Sequence, residues 1–516
     1  MNARTLLVAY ALVNAALYSV LLPLWEGFDE PFHFAYIQQL GNWQGLPDPR
    51  TDRLSREVGA SLLLAPASQV VKQNLPQLTS YSLYFSWPAP RRSEVQTELR
   101  AIPAELRWQP SEFVNYEAHQ PPLAYSLLAV PERLLDRVAL PLRVAILRMM
   151  AALAGSLLLL AGAERLFLQL DIPDPCKAVA LFCLFSSQML WATLAHVGND
   201  WLAVPIAVWN LVALHRFGLN PSRRTAAVAA LLLAAGLLTK AYFLTLVPLL
   251  LGLCLLRRRW RELAITCVIL CGLAGPWYGR NLVRYGVLTG TQESRAGIGL
   301  PAVLRATPAL HWFSVIPSSV RTSLWTGNNT FLTFSETTLN LMIATTLIAL
   351  LLWAASRHRA TEWITVSYCV LFVAALGYVT VVSHIFTQGA ANTPSPWYAQ
   401  VLLAPLLALA LLGASRWPRL GRFVSALLVL LFGYVLAATY AIKLIPLYGG
   451  YEGRASLAGL GMLYGHRLRL LTANLDTIAL APAPVIFGLA SVVILLVVAQ
   501  QVILIVSLFC SKTEIF

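Results

Sequence analysis

Residues 25–34, WEGFDEPFHF, set the carboxylates Glu26, Asp29 and Glu30 and the imidazole of His33 directly after the first apolar run. A carboxylate held against an apolar wall has its pKa raised and can take a proton from a hydroxyl. His33 follows Asp29 by four residues, so the two can share a helical face. The same cluster can also be a solvated helix end, because Gly27 and Pro31 interrupt regular structure at the membrane edge. Spacing alone does not separate the two readings.

Other stretches carry the same kind of ambiguity. In NYEAHQPPLAY, residues 115–125, Glu117, His119 and Gln120 precede a Pro121–Pro122 pair that can start a helix but not continue one. They form either a site or an interfacial anchor. In HVGND, Asn199 and Asp200 sit in a tight turn, which turn chemistry alone accounts for. In LLTKAYFL, Lys240 stands alone between apolar runs, where a cation either meets an anion or snorkels to headgroups. In GPWYGRNLVRYG, Arg280 and Arg284 are four apart and can clamp one phosphate, of a substrate or of a lipid. Trp325, Asn328 and Asn329, and later His384, Gln388 and Tyr398, suit sugar recognition or an interfacial belt equally. The seven cysteines form no CxxC pair and have no metal-site spacing, so neither a metal nor a disulfide is expected.

The elements that must position these residues are membrane helices. The 516-residue chain is 58% hydrophobic and 12% charged, more apolar than a soluble domain can bury. Its net charge of +14 lies in short clusters between apolar runs, such as LLRRRWRE and SRHRATE. That pattern reads as membrane topology and not as nucleic-acid binding. Apolar runs near 5–25, 142–163, 176–197, 201–217, 225–239, 241–256, 262–278, 337–355, 362–384, 397–415, 422–442 and 484–509 predict an all-α polytopic protein of about 12 spanning helices. The first run lacks a small-residue cleavage site and reads as a retained helix.

The stretch 121–135 is apolar but short. If it does not cross, Arg4, Arg165, Lys177, Arg216, Arg257, Arg357, Arg416 and their neighbours all face the cytoplasm. The positive-inside rule therefore makes it an interfacial helix and puts both termini in the cytoplasm. Exported loops then span about 26–120, 279–336 and 443–483, with a short turn at 198–200. The first loop holds eleven of the 24 acidic residues and is expected to consist of short helices and turns. Every candidate residue falls on the exported side. No internal repeat is evident, unlike many transporters.

In order and sidedness these features resemble the GT-C-type membrane glycosyltransferases. The likeness is greatest to the branch of the protein mannosyltransferases and the lipid A aminoarabinose transferase. A family of uncharacterised multi-pass proteins shares the DEP-x-H and GPW-x-x-RN pattern. The resemblance covers roughly the first 300 residues: DE after the first helix, HQPPLAYSLLA at the loop's return, ND in a turn, then LLTKAYFLTLVP and GPWYGRNLVRYG. It implies a GT-C-like catalytic module over 1–300 and a variable C-terminal transmembrane module over 301–516. It also implies inverting transfer of a sugar from a polyprenyl-phosphate donor to a glycan, lipid or protein outside the cytoplasm, in a bacterial inner membrane, with no metal required.

Carried over by position, Asp29, Glu30 and Asp200 are the catalytic carboxylates, with Asp29 the base. By the same resemblance Lys240, Arg280 and Arg284 are expected to bind the donor phosphate. His33, Glu117, His119, Gln120 and Asn199, which accompany them on the exported side, are expected to contact substrate. The first loop is long for the aminoarabinose enzyme, and no large soluble C-terminal domain of the oligosaccharyltransferase kind follows, which leaves the acceptor open. A transporter or flippase of a polyprenyl-linked or anionic lipid would use the same cations. The lack of repeats and the carboxylates of the first loop count against it.

Overall fold

Hydrocarbon offers backbone groups no partner, so each apolar run closes its own hydrogen bonds and becomes a helix. The computed structural model describes residues 3–451, 456 and 458–510. All of the expected apolar runs are helical, and the chain is an all-α polytopic membrane protein. Among the described residues, 8 helices are long and apolar enough to span alone, from Arg4–Leu21 to Ala483–Phe509. Two further pairs are bent, Asp174–Phe185 with Gln188–Leu194 by 59° and Trp260–Leu273 with Gly275–Tyr285 by 54°. Gly275–Pro276 at the second bend denies the ladder a donor, which is why the helix turns there. The remaining two runs are shorter, Arg223–Leu237 and Ala241–Leu256, and the break between them holds Lys240. Part of the third expected loop, at 452–455 and 457, lies outside the described residues.

The first loop is folded around short helices, as its turn residues predict. Ser55, Ser68 and Ser80 each open a helix by accepting a backbone N–H three residues on. An antiparallel ribbon, Arg53–Ser55 with Pro110–Val114, was not anticipated. It is too short to leave a periodic signal in sequence. The helix Leu123–Leu134 rises about 18 Å, well short of the ~30 Å of a hydrocarbon core. It buries Ala124, Tyr125 and Leu128 toward Glu30–Gly41 and turns Leu127, Val130 and Leu134 outward. The first helix packs on the last, and one contiguous core runs from Leu7 to Leu508.

Charged side chains brace this core. Arg143 and Arg148 lie in the helix Leu140–Gln169 and are fully buried. Arg143 pairs with Glu57 and, at 2.8 Å, with Glu132. Arg107 meets Glu132 at 2.7 Å, and Gln38 donates to Glu57 at 2.6 Å. The network thus ties the loop-one helices to a spanning helix. An unpaired buried charge costs several kcal/mol, so removing one member without its partner is costly.

Arg143→Ala is expected to destabilise the protein by about 3–5 kcal/mol, read as a lower thermal midpoint in detergent. Arg143→Met combined with Glu57→Gln is expected to recover most of that loss, since Glu132 keeps Arg107. A wild-type midpoint for Arg143→Ala would contradict this account of the network.

Candidate active site

Gly27 lets the chain leave the first helix against a neighbour, since a Cβ there would lie 2.4 Å from that of His196. Trp25 and Asp29 flank it in the left-handed region, at φ 65° and 54°. Such residues cost of order 1–3 kcal/mol and persist only where their surroundings impose them. Asp29 precedes the helix Glu30–Gly41 but does not cap it with its side chain. Its carboxylate instead accepts a hydrogen bond from the Tyr116 hydroxyl.

Glu30, the next residue, points elsewhere. Fully buried, it pairs with Arg148 and accepts the Val197 N–H at 2.9 Å. Arg148 also donates to the Leu22 and Pro23 carbonyls at 2.7 and 2.8 Å, the end of the first helix. Both Glu30 oxygens are therefore engaged in joining three segments.

The loop's return is stitched to the same region. Leu123 N–H donates to the Leu238 carbonyl at 2.8 Å. Asn199 donates to Gln120 at 3.2 Å and to the Thr239 carbonyl at 3.3 Å, and Gln120 donates to Glu117 at 2.9 Å. His33 Nδ1 lies 2.8 Å from the Tyr125 hydroxyl and 3.8 Å from Glu117. Lys240, extended at its helix break, pairs with Asp200 at 2.6 Å, both buried. Its Nζ lies 4.8 Å from the centre of the Tyr398 ring and 5.6 Å from that of Tyr242.

The charges of Lys240 and Asp200 both reach Asp29. Burial pushes the Asp29 carboxyl up, against the pull of the Tyr116 hydrogen bond and of Lys240. Burial, helped by the charge of Asp29, pushes Glu117 up to about 8. Burial also pushes His33 well down and lowers His119 and His196. The Nδ1 of His196 lies 3.0 Å from the Ala192 carbonyl, which can only accept, so Nε2 carries the free lone pair. That Nε2 and the Asn199 Oδ1 are buried and find no hydrogen-bond partner among the described residues.

Asp29 and Tyr116 line a cavity of about 780 Å³ whose other walls are largely apolar, among them Phe28, Leu62, Val71, Phe331 and Trp397. Asp29 thus stands where a polar cluster meets an apolar hollow.

Of the residues singled out in sequence, Asp29, His33, Glu117, Gln120, Asn199, Asp200 and Lys240 come together. His119 adjoins them, its Nδ1 2.7 Å from the Tyr116 carbonyl and its ring within reach of the Lys240 charge. The expected trio of cations divides. Arg284 pairs with Asp48 at 3.1 Å and Arg280 donates to the Pro47 carbonyl at 3.0 Å, so both hold the first loop. Tyr116 and His196 escaped the sequence reading, although each lies within three residues of a candidate. Arg148, an arginine inside a spanning segment, was the visible signal for the partner of Glu30.

No family model and no curated protein matches the chain. Among solved structures, it is similar to ArnT from Cupriavidus metallidurans bound to undecaprenyl phosphate, at 14% identity and a TM-score of 0.47, over 96% of this chain and 77% of that one. It is also similar to ArnT from the same organism in the apo state, at 14% identity and a TM-score of 0.40, over 86% and 74%.

The neighbouring carboxylates are expected to separate by experiment. Glu30→Ala, which leaves Arg148 buried and unpaired, should cost about 3–5 kcal/mol of stability, whereas Asp29→Asn should cost under about 1 kcal/mol. Chemical unfolding of both variants in detergent measures this, and equal losses would contradict the division.

Proposed function

We propose that this chain is a membrane glycosyltransferase that moves a sugar from a polyprenyl-phosphate donor to an acceptor hydroxyl, with inversion, outside the cytoplasm. The observation that carries the reading is the Asp29 carboxylate, which lines a largely apolar cavity and lies within electrostatic reach of the buried Asp200–Lys240 pair. A donor whose tail stays in lipid needs an apolar approach, and its phosphate needs a fixed cation. Lys240 has three N–H donors, of which Asp200 occupies one. The others can meet the phosphate as its bond to the anomeric carbon breaks and it leaves with the electron pair.

Asp29 takes the proton of the acceptor hydroxyl as that oxygen bonds to the anomeric carbon from the opposite face. Glu117, raised to about 8, is protonated at neutral pH, which limits repulsion of Asp29 and of the phosphate. Asp200 orients Lys240. His33, His119, Gln120 and Asn199 border the sugar. Glu30 is a positioning residue, fixing the backbone from which Asp29 projects. Arg280 and Arg284 position the first loop over the donor. The basic clusters face the cytoplasm of a bacterial inner membrane, with the site on the exported face.

Mass spectrometry of envelope glycans and lipids from a deletion strain identifies the missing sugar and the accumulating donor. With that donor, Asp29→Asn is expected to lower transfer at least 100-fold at equal protein level. Transfer at the wild-type rate would remove Asp29 as the base. Tyr116→Phe deletes a hydrogen bond that lowers the Asp29 pKa, so that pKa rises further. The base works only ionised, so the acidic limb of the rate profile is expected to move to higher pH, by about one unit. An unmoved limb, or a shift to lower pH, contradicts the assignment.

A further inference from the structure

A second hollow, of about 300 Å³, lies at the other end of the helix that Asp29 precedes. Its walls come from the end of Glu30–Gly41, the ribbon strand Arg53–Ser55, and residues 107–110. Unlike the cavity at Asp29, it is polar and rich in amides, with Gln38, Gln39, Gln44 and Gln109 all lining it.

The charged groups at its wall are already engaged. Asp52 accepts from Gln39 and from the Asp48 N–H, both at 2.8 Å. Arg53 donates to the Glu112 carbonyl at 2.6 Å. Arg107 pairs with Glu132 at 2.7 Å and donates to Asn42 at 3.0 Å. Neutral hydrogen-bonding capacity is what remains. Gln38 and Gln39 each give one N–H to Glu57 and Asp52, which leaves their carbonyl oxygens and a second N–H apiece. Gln109 spends its oxygen on Arg56, which leaves its NH₂ group. Gln44 keeps a whole amide. Arg107 is 3% exposed, and its second terminal nitrogen is buried with no hydrogen-bond partner among the described residues. Trp108, 47% exposed, adds an aromatic edge.

The wall carries one carboxylate, Asp52, and one guanidinium, Arg53, besides the Arg107–Glu132 pair, so its charges balance, and its interleaved amide donors and acceptors match the vicinal hydroxyls of a sugar, each of which both donates and accepts. The volume, on the order of ten waters, admits one pyranose ring.

We infer that this recess, walled by Gln38, Gln39, Gln44, Gln109, Arg107 and Trp108, is a binding subsite for one unit of a neutral saccharide. Gln38 follows Asp29 by nine residues, roughly 14 Å along a helix. On the reading of Asp29 as the base, the subsite belongs to a glycan acceptor several units long, whose growing end lies at Asp29.

The full-length Asp29→Asn protein tests this, purified in a detergent without a sugar headgroup. Saturation-transfer NMR with maltose, cellobiose and chitobiose is expected to find at least one ligand with a Kd of about 1 mM or tighter. Gln44→Ala and Gln109→Ala, each with an unchanged melting midpoint, are expected to weaken it about 3–10-fold. The inference is overturned if none of the three sugars binds, if neither substitution alters binding, or if a serine-containing peptide binds there in their place. Asp29→Asn also keeps the two readings apart. Sugar binding in a variant that still transfers at the wild-type rate removes the base and leaves the subsite standing.

Discussion

The buried pair of Glu30 and Arg148 is the constraint on which the arrangement of this protein rests. Arg148 is fixed inside a spanning helix, in its first third, and cannot be left bare there. It is satisfied by drawing in Glu30 together with the Leu22 and Pro23 carbonyls just past the end of the first helix. Glu30 in turn reaches the Val197 backbone, beside the turn that carries Asn199 and Asp200. One ion pair thus sets the end of one helix, the side of another and the start of a third. Asp29 is the residue left over at that junction, in a left-handed conformation, its carboxylate on the cavity wall and bonded to Tyr116.

Around it, acids and cations are arranged by burial more than by sequence. Three carboxylates face one lysine, and burial keeps the imidazoles neutral. Such a cluster is costly unless something offsets it, and unpartnered atoms at His196 and Asn199 mark where polar capacity remains. The adjoining cavity is largely apolar. A polar cluster opening on a hollow of this kind suits a ligand with a polar head and an apolar tail.

The helices were legible because a spanning segment writes its length and hydropathy directly into sequence. The short helix after Pro121–Pro122 was legible from its length and from the charge pattern around it. Asp29, Glu117, Asp200 and Lys240 were legible as polar residues where a membrane chain has little reason to keep them. What could not be read was which buried charge answers which. Arg143 meets Glu57 from 86 residues away and Arg148 meets Glu30 from 118, and no local pattern encodes a partner at such range. For the same reason the spacing of Arg280 and Arg284 gives no sign of their contacts with Pro47 and Asp48. Tyr116 was overlooked because a tyrosine at a membrane edge has a common, bland explanation.

A structure of the protein determined with a polyprenyl phosphate bound tests the central claim most directly. The account predicts the phosphate within about 4 Å of the Lys240 ammonium, with the first isoprene units in the hollow beside Asp29. A phosphate seated on Arg280 and Arg284, away from Lys240, would contradict it.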